Sequence, residues 1–241
     1  KRDALPKEGT RYLFCDPSSG RNFYMAWFLV TPEGKYLYRE WPGNYDIPGV
    51  GVPGPWALPD GKKMDGKKGP GQDTFGFGIK QYKREIARLE GWKDLGNEKL
   101  KPEEWREGRE DRERVFERFM DSRFASVGHT QIDRPITLIE EFERVGLYFR
   151  PTPGNDIDEG VALINDALDY DDEAPLDFFN KPKFYVVEDC RNAIYSLQNW
   201  TGLDGQSGAC KDPVDVMRYF LSADCVYAGD GVVMARRGGF Y

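Results

Sequence analysis

The sequence predicts a single α/β domain: a mixed sheet, with an antiparallel three-strand meander and further parallel strands, covered by helices on both faces. Three observations predict it. The chain opens with three short apolar segments separated by polar turns, and continues with strand-like and helix-like segments in alternation. Its 241 residues also suit one sizeable core.

The first three segments are Arg11–Asp16, Asn22–Thr31 and Lys35–Trp41. The last two flank Pro32-Glu33-Gly34, a turn signal that makes them a hairpin. From Gly43 to Thr74 the chain holds eight glycines and five prolines and loses its periodicity. That stretch is expected to be a long surface loop inserted in the domain, carrying Lys62, Lys63, Lys67 and Lys68. Ile79–Leu89 has Ile79, Tyr82, Ile86 and Leu89 at helical spacing. Pro102–Arg114 is a dense charge run, expected to be a solvated helix or an extended connector. Val115–Met120 alternates as a strand does.

Ile136–Val145 is expected to be an amphipathic helix stopped by Gly146, and Leu147–Arg150 a short strand ended by Pro151. Asp158–Leu168 has Val161, Ile164 and Leu168 on one side and acids in its first turn. Lys183–Val187 predicts a strand, Asp189–Trp200 a helix with Cys190, Ile194 and Leu197 aligned, and Asp212–Leu221 a last helix. Residues 1–10 read as a linker remnant and 223–241 as a Gly-rich tail with Arg236 and Arg237.

Composition narrows the chemistry. At 39% hydrophobic and 31% charged residues, with no long apolar run and no secretory signal, the chain is expected to be soluble and off the membrane. Four cysteines without a CxxC pair and a single histidine, His129, argue against zinc and against Ser-His-Asp or Cys-His hydrolysis. His129 itself is expected to be a surface or loop residue. A net charge of −7 argues against a generic nucleic-acid-coating surface, yet leaves room for a local site.

The candidate site is acidic. Asp16 ends the first strand, before Pro17-Ser18-Ser19-Gly20, where a carboxylate is costly to bury unless paired, hydrogen-bonded or bound to metal. Asp121 ends the Val115–Met120 strand, and Asp212 and Asp215 open the last helix with an i, i+3 spacing that shares one face. If these elements converge, their hard oxygens suit Mg²⁺ or Mn²⁺. Two such ions about 4 Å apart would support phosphodiester hydrolysis. Each acid also has a plainer role. Asp16 can start a turn, Asp121 can pair with Arg123, and Asp212-Pro213-Val214-Asp215 fits a helix start with Asp212 as N-cap.

At Tyr12–Gly20, Met120–Ser126, Pro182–Gly202 and Lys211–Leu221 the chain resembles the C-terminal nuclease domain of tailed-phage terminase large subunits, over nearly its whole length. The resemblance implies a ribonuclease-H-like fold related to RuvC-type resolvases. It implies a two-metal DNA endonuclease, using Mg²⁺ or Mn²⁺, that cuts concatemeric viral DNA when packaging starts and ends. Position by position, Asp16 matches the first-strand acid, Asp121 the fourth-strand acid and Asp215 the acid of the closing helix. Asp212 matches an auxiliary acid three residues earlier. Val216 stands where a small residue is common, which implies tighter packing. No GxxxxGK[ST] loop occurs, so the N-terminal ATPase domain of the family is expected to be absent.

The implied partners are double-stranded DNA, the terminase ATPase domain, the small terminase subunit and the portal. The implied setting is the host cytoplasm, with the fragment itself monomeric. Two alternatives stand beside this reading: a RuvC-like junction resolvase or transposase-type nuclease, and a non-catalytic docking module for the portal or ATPase.

Overall fold

The computed structural model describes residues 4–17, 23–42, 77–95, 97–107, 112–125, 128–131, 134–154, 156–202 and 211–229. The loop expected at 43–74, with its lysines, and the end of the tail with Arg236 and Arg237 lie outside the described residues.

Three apolar segments build the centre of the sheet: β1 (Thr10–Asp16), β2 (Tyr24–Val30) and β3 (Lys35–Trp41). They pair antiparallel in sequence, as the Pro32–Gly34 turn requires. β4 (Val115–Met120) lies parallel to β1 on its other side, with Cys15 opposite Met120. Short strands β7 (Arg150–Pro151) and β8 (Phe184–Val186) complete a six-stranded sheet in the order β7-β4-β1-β2-β3-β8. A separate two-stranded hairpin pairs β5 (Gly128–Gln131) with β6 (Arg134–Thr137).

The strand period sends neighbouring side chains to opposite faces. Trp27 reaches Glu90 of α1 (Ile79–Glu90), whereas Phe28 stacks on Phe220 of α6 (Lys211–Ser222). On the α1 side also packs α3 (Leu138–Arg144), through Tyr82 and Phe142. On the α6 side lie α4 (Ile157–Leu168) and α5 (Arg191–Asn199), both in contact with α6. Between sheet and α6, Phe14, Phe28, Phe119, Phe184 and Phe220 form one aromatic cluster. The result is a mixed sheet with helices on both faces, as expected.

Several boundaries differ, each for a local reason. Thr10 already opens β1 and is buried, so the linker reading of residues 1–10 stops short of it. The helix expected from Ile136 begins at Leu138. Thr137 caps it, with its Oγ1 accepting from the Glu140 N–H and Glu140 Oε2 accepting from the Thr137 N–H. The residues before it pair as β6, and the backbone of His129 belongs to the facing strand β5. Gly146 does end α3, at φ 75°, a conformation glycine adopts without penalty.

The charge run 102–114 holds only a 3-10 turn, Pro102–Glu104, among the described residues. Its described residues are exposed or half-buried, and two of its acids are paired, Glu107 accepting from Arg118 and Glu113 from Arg39. In α5 the most buried positions are Asn192, Ala193 and Ser196, not Ile194 and Leu197. The start of the tail docks on β1: the Tyr12 hydroxyl donates to the Val226 carbonyl, and the Ala228 N–H to Thr10 Oγ1.

Candidate metal centre

Asp16 and Asp121 meet because β1 and β4 run parallel and end together. The Asp121 N–H donates to the Cys15 carbonyl at 3.1 Å, which fixes the two strand ends side by side. Asp16 shares a face with Phe14, and Asp121 with Phe119, so both carboxylates belong to the α6 side. That face meets α6, where Asp212, Asp215, Val216, Tyr219 and Phe220 follow the i, i+3, i+4 pattern and are all buried. Val216 is fully buried there.

α6 begins at Lys211, so Asp212 lies inside the first turn and is not the N-cap of the plainer reading. Its carboxylate still lies in the turn where the helix dipole favours an acid.

Tyr219 links α6 to β4: it stands at i+4 from Asp215, and its hydroxyl donates to Asp121. Burial pushes its hydroxyl well above the ordinary range, and the carboxylates of Asp16, Asp215 and Asp121 push it further. The buried Cys15 thiol is raised in the same way, first by burial and then by Asp16 and Asp121. Tyr24, paired with Asp16 in the β1–β2 register, is raised by burial and by Glu40, with a smaller contribution from Asp212. Asp16, Asp121 and Asp215 thus all act on Tyr219, and Asp212 acts on Tyr24.

Two of the four are engaged by guanidinium groups. Asp121 accepts from Arg123 Nε (3.0 Å to Oδ2), Arg123 Nη2 (2.7 Å), the Arg123 backbone N–H (2.9 Å) and the Tyr219 hydroxyl (2.9 Å). Burial works to raise the Asp121 carboxyl, but the hydrogen bonds from Arg123 and Tyr219 outweigh it and hold it below its ordinary value. Asp215 accepts from the buried Arg218, whose Nη1 also donates to the Asp156 carbonyl. Lys211 Nζ stands 3.8 Å from Asp215 Oδ2.

Among the described residues, no three His, Cys, Asp or Glu side chains stand together as a ready-made metal cage. The donor set nevertheless fits a hard cation in type: carboxylates only, from three elements, with no sulfur or imidazole among them. The structure thus brings Asp16, Asp121, Asp212 and Asp215 to one region, with Asp121 and Asp215 facing arginines.

Sequence reasoning missed three members of this region. Tyr219 and Arg218 stand at i+4 and i+3 from Asp215, a spacing that would have found them. Glu40 is the third. It is buried in β3 and accepts from the Tyr24 hydroxyl (2.8 Å) and from the N–H groups of Asn192 (2.8 Å) and Ala193 (2.9 Å). It thereby caps the N-terminus of α5 from β3. Burial raises its carboxyl to about 7 despite those bonds.

No protein-family model matches the chain, and no curated protein matches it in sequence. Solved structures do. The large terminase of a thermophilic bacteriophage (crystal form 3) aligns over 90% of this chain, with a TM-score of 0.50 and 14% identity. The same protein in complex with ATP-gamma-S aligns over 94%, with a TM-score of 0.52 and 12% identity. This chain spans 40% and 44% of the length of those two chains, respectively. At such identity the shared property is the fold. The chain has a terminase-like fold, and its six-stranded mixed sheet flanked by helices is of the ribonuclease-H-like kind.

Proposed function

We propose that this chain is a divalent-cation-dependent DNA endonuclease, the nuclease part of a phage terminase large subunit that cuts concatemeric viral DNA at the start and end of packaging. The observation that carries the reading is the meeting of three acidic elements: β1 and β4 end side by side at Asp16 and Asp121, and Tyr219, one helical turn from Asp215, donates to Asp121. The terminase-like fold supports it.

In this reading Asp16, Asp121 and Asp215 hold Mg²⁺ or Mn²⁺, in two ions, with Asp212 beside them. Such ions, when bound, would supply Lewis-acid activation of water and of the scissile phosphate. The chain's own residues do the rest. The parallel β1–β4 pairing fixes the spacing of Asp16 and Asp121, and α6 presents Asp212 and Asp215 from one stripe. Tyr219 orients Asp121 through its hydroxyl, and Arg218 orients Asp215. The depressed Asp121 carboxyl stays ionised at neutral pH. Double-stranded DNA is the substrate, and the ATPase domain, small subunit and portal are the partners. The host cytoplasm is the place of action.

Incubating the protein with supercoiled plasmid and Mn²⁺ tests this reading. Nicking and linearisation are expected, and are expected to vanish in Asp16→Ala and Asp121→Ala. Cleavage that survives either change rejects the assignment. Preference for four-way junctions over linear duplex would move the protein to the resolvase alternative.

A second reading, a docking module, is favoured by one feature. Between α4 and β8, Leu176, Phe178 and Phe179 are exposed, Phe179 by 93%. Their loop is tied internally, because the Asn180 amide donates to the carbonyls of Asp171, Ala174 and Pro175. Such a displayed apolar group suits a protein contact. Calorimetry showing no Mn²⁺ binding at millimolar concentration would favour this reading over the first.

A further inference from the structure

The two arginines of the acidic site differ in a way that separates their roles. Arg218 is buried, its side chain only 3% exposed, and it bridges Asp215 to the Asp156 carbonyl on the loop before α4. It has a structural partner on each side and no route to solvent. Arg123 makes an equally dense set of bonds to Asp121, yet its side chain is 65% exposed. It extends from α2 (Ser122–Ala125), a single turn after β4. Apart from Asp121 and the Tyr219 hydroxyl it has no hydrogen-bond partner among the contacts described. One guanidinium is part of the core, and the other is exposed to solvent while bonded to Asp121.

Asp121 does not need the Arg123 side chain to stay in place. The Arg123 backbone N–H and the Tyr219 hydroxyl both donate to the carboxylate and would remain if the guanidinium turned away. What the guanidinium supplies is charge. With Asp16 and Asp215 also acting on this neighbourhood, a cation at Asp121 lowers the repulsion between carboxylates. Any other cation arriving at Asp121 competes for the same lone pairs. Once displaced, the guanidinium stands at the solvent edge of the site, with a planar donor fork suited to two phosphate oxygens.

We propose that Arg123 is a DNA-contacting residue that is parked on Asp121 as an exchangeable counter-ion until a divalent cation enters. The proposal rests on the reading of the acidic site as a cation-dependent nuclease centre. It makes loading of the site and capture of a backbone phosphate two ends of one side-chain movement.

The test measures binding, not turnover. Mn²⁺ is titrated calorimetrically into the wild type, Arg123→Ala, Arg123→Gln and, as a control, Asp121→Ala, with melting curves confirming that each is folded. Removal of the competing cation is expected to tighten Mn²⁺ binding by roughly five- to tenfold in both Arg123 variants. Binding of a labelled DNA duplex is then followed by anisotropy in Ca²⁺ across a salt series. The Arg123 variants are expected to bind more weakly, with the slope of log K against log salt reduced by about 1, the signature of one lost phosphate contact.

Unchanged or weaker Mn²⁺ binding in the Arg123 variants, with binding lost in Asp121→Ala, overturns the counter-ion exchange and leaves the nuclease reading standing. Wild-type Mn²⁺ binding in Asp121→Ala overturns the acidic centre itself, and the proposal with it. Tighter Mn²⁺ binding with an unchanged salt slope refutes the phosphate contact.

Discussion

The two faces of the sheet both bury charge, and they handle it in opposite ways. On the α1 face, Glu90 accepts from Trp27 Nε1, Trp92 Nε1 and Arg118, and Arg118 also reaches Glu107. Lys83 sits 3.9 Å over the Trp92 ring, and Arg39 forks onto Glu113. Lys83, Arg39, Arg118 and Glu90 are all buried, whereas Glu113 and Glu107 remain partly exposed. On the α6 face, four buried aspartates are answered by the buried Arg218 and by Arg123 and Lys211, which reach in from solvent. Charges closed in among fixed partners hold a fold together. Buried carboxylates whose counter-ions are exposed can exchange them, and exchange is what a binding site needs.

The sharpest way to break this comparison is to remove one charge from each face. Asp16→Asn is expected to lower Mn²⁺-dependent plasmid cleavage by about a thousandfold or more, since the metal-borne stabilisation is worth several kcal/mol. Its melting temperature is expected to be no lower than that of the wild type, because one of several crowded carboxylates is neutralised. A marked drop in melting temperature would make Asp16 a structural group like Glu90.

The opposite pattern is expected at Glu90→Ala. Taking the carboxylate from beneath Arg118 and two indole N–H groups leaves buried donors unmatched, at a cost of about 3–5 kcal/mol in urea unfolding. Mn²⁺ affinity of the folded fraction is expected to be unchanged.

Glu40 sharpens the comparison, because it belongs to the α6 face yet holds structure. Tyr24, Cys190 and the N-terminus of α5 surround it, with Asp212 beyond Tyr24. Burial raises its carboxyl from 4.5 to about 7, so the folded protein binds that proton more tightly than the unfolded chain. Its contribution is therefore full below pH 4.5 and is lost as pH rises through about 7. The loss is on the order of 3 kcal/mol. Urea midpoints between pH 4.5 and 7.5 are expected to fall in the wild type and to flatten in Glu40→Gln. A slope retained in the variant would assign the titration to another group.

The smallest effect is expected at the exposed pair Arg150–Glu117, 2.5 Å apart. Arg150→Ala is expected to cost less than about 1 kcal/mol in the same assay. A larger loss would show that counter-ion exposure does not separate weak pairs from strong ones.

How far the sequence reached depends on how local each cause is. The meander was legible because apolar runs and the Pro32–Gly34 turn act within a few residues. So was the last helix, where Asp212, Asp215 and Phe220 share a repeat. The hairpin of β5 and β6 was not, because its strands are four residues each and Ile136 reads equally well as the start of a helix. Tyr219 and Arg218 were within reach of the i+4 and i+3 spacing from Asp215. The role of Glu40 was not, since its partners at Asn192 and Ala193 are about 150 positions away.

The sequence by itself determined the strands and most of the helices, because periodicity and turn residues are properties of neighbouring residues. Only the tertiary structure decided that β1 and β4 end together, that α6 packs on β1 and β2, and that Arg123 is exposed while Arg218 is buried. Those are relations between distant segments. They arise when the aromatic cluster of Phe14, Phe28, Phe119 and Phe220 packs α6 against the sheet, and the loss of apolar surface to water fixes which charged groups meet.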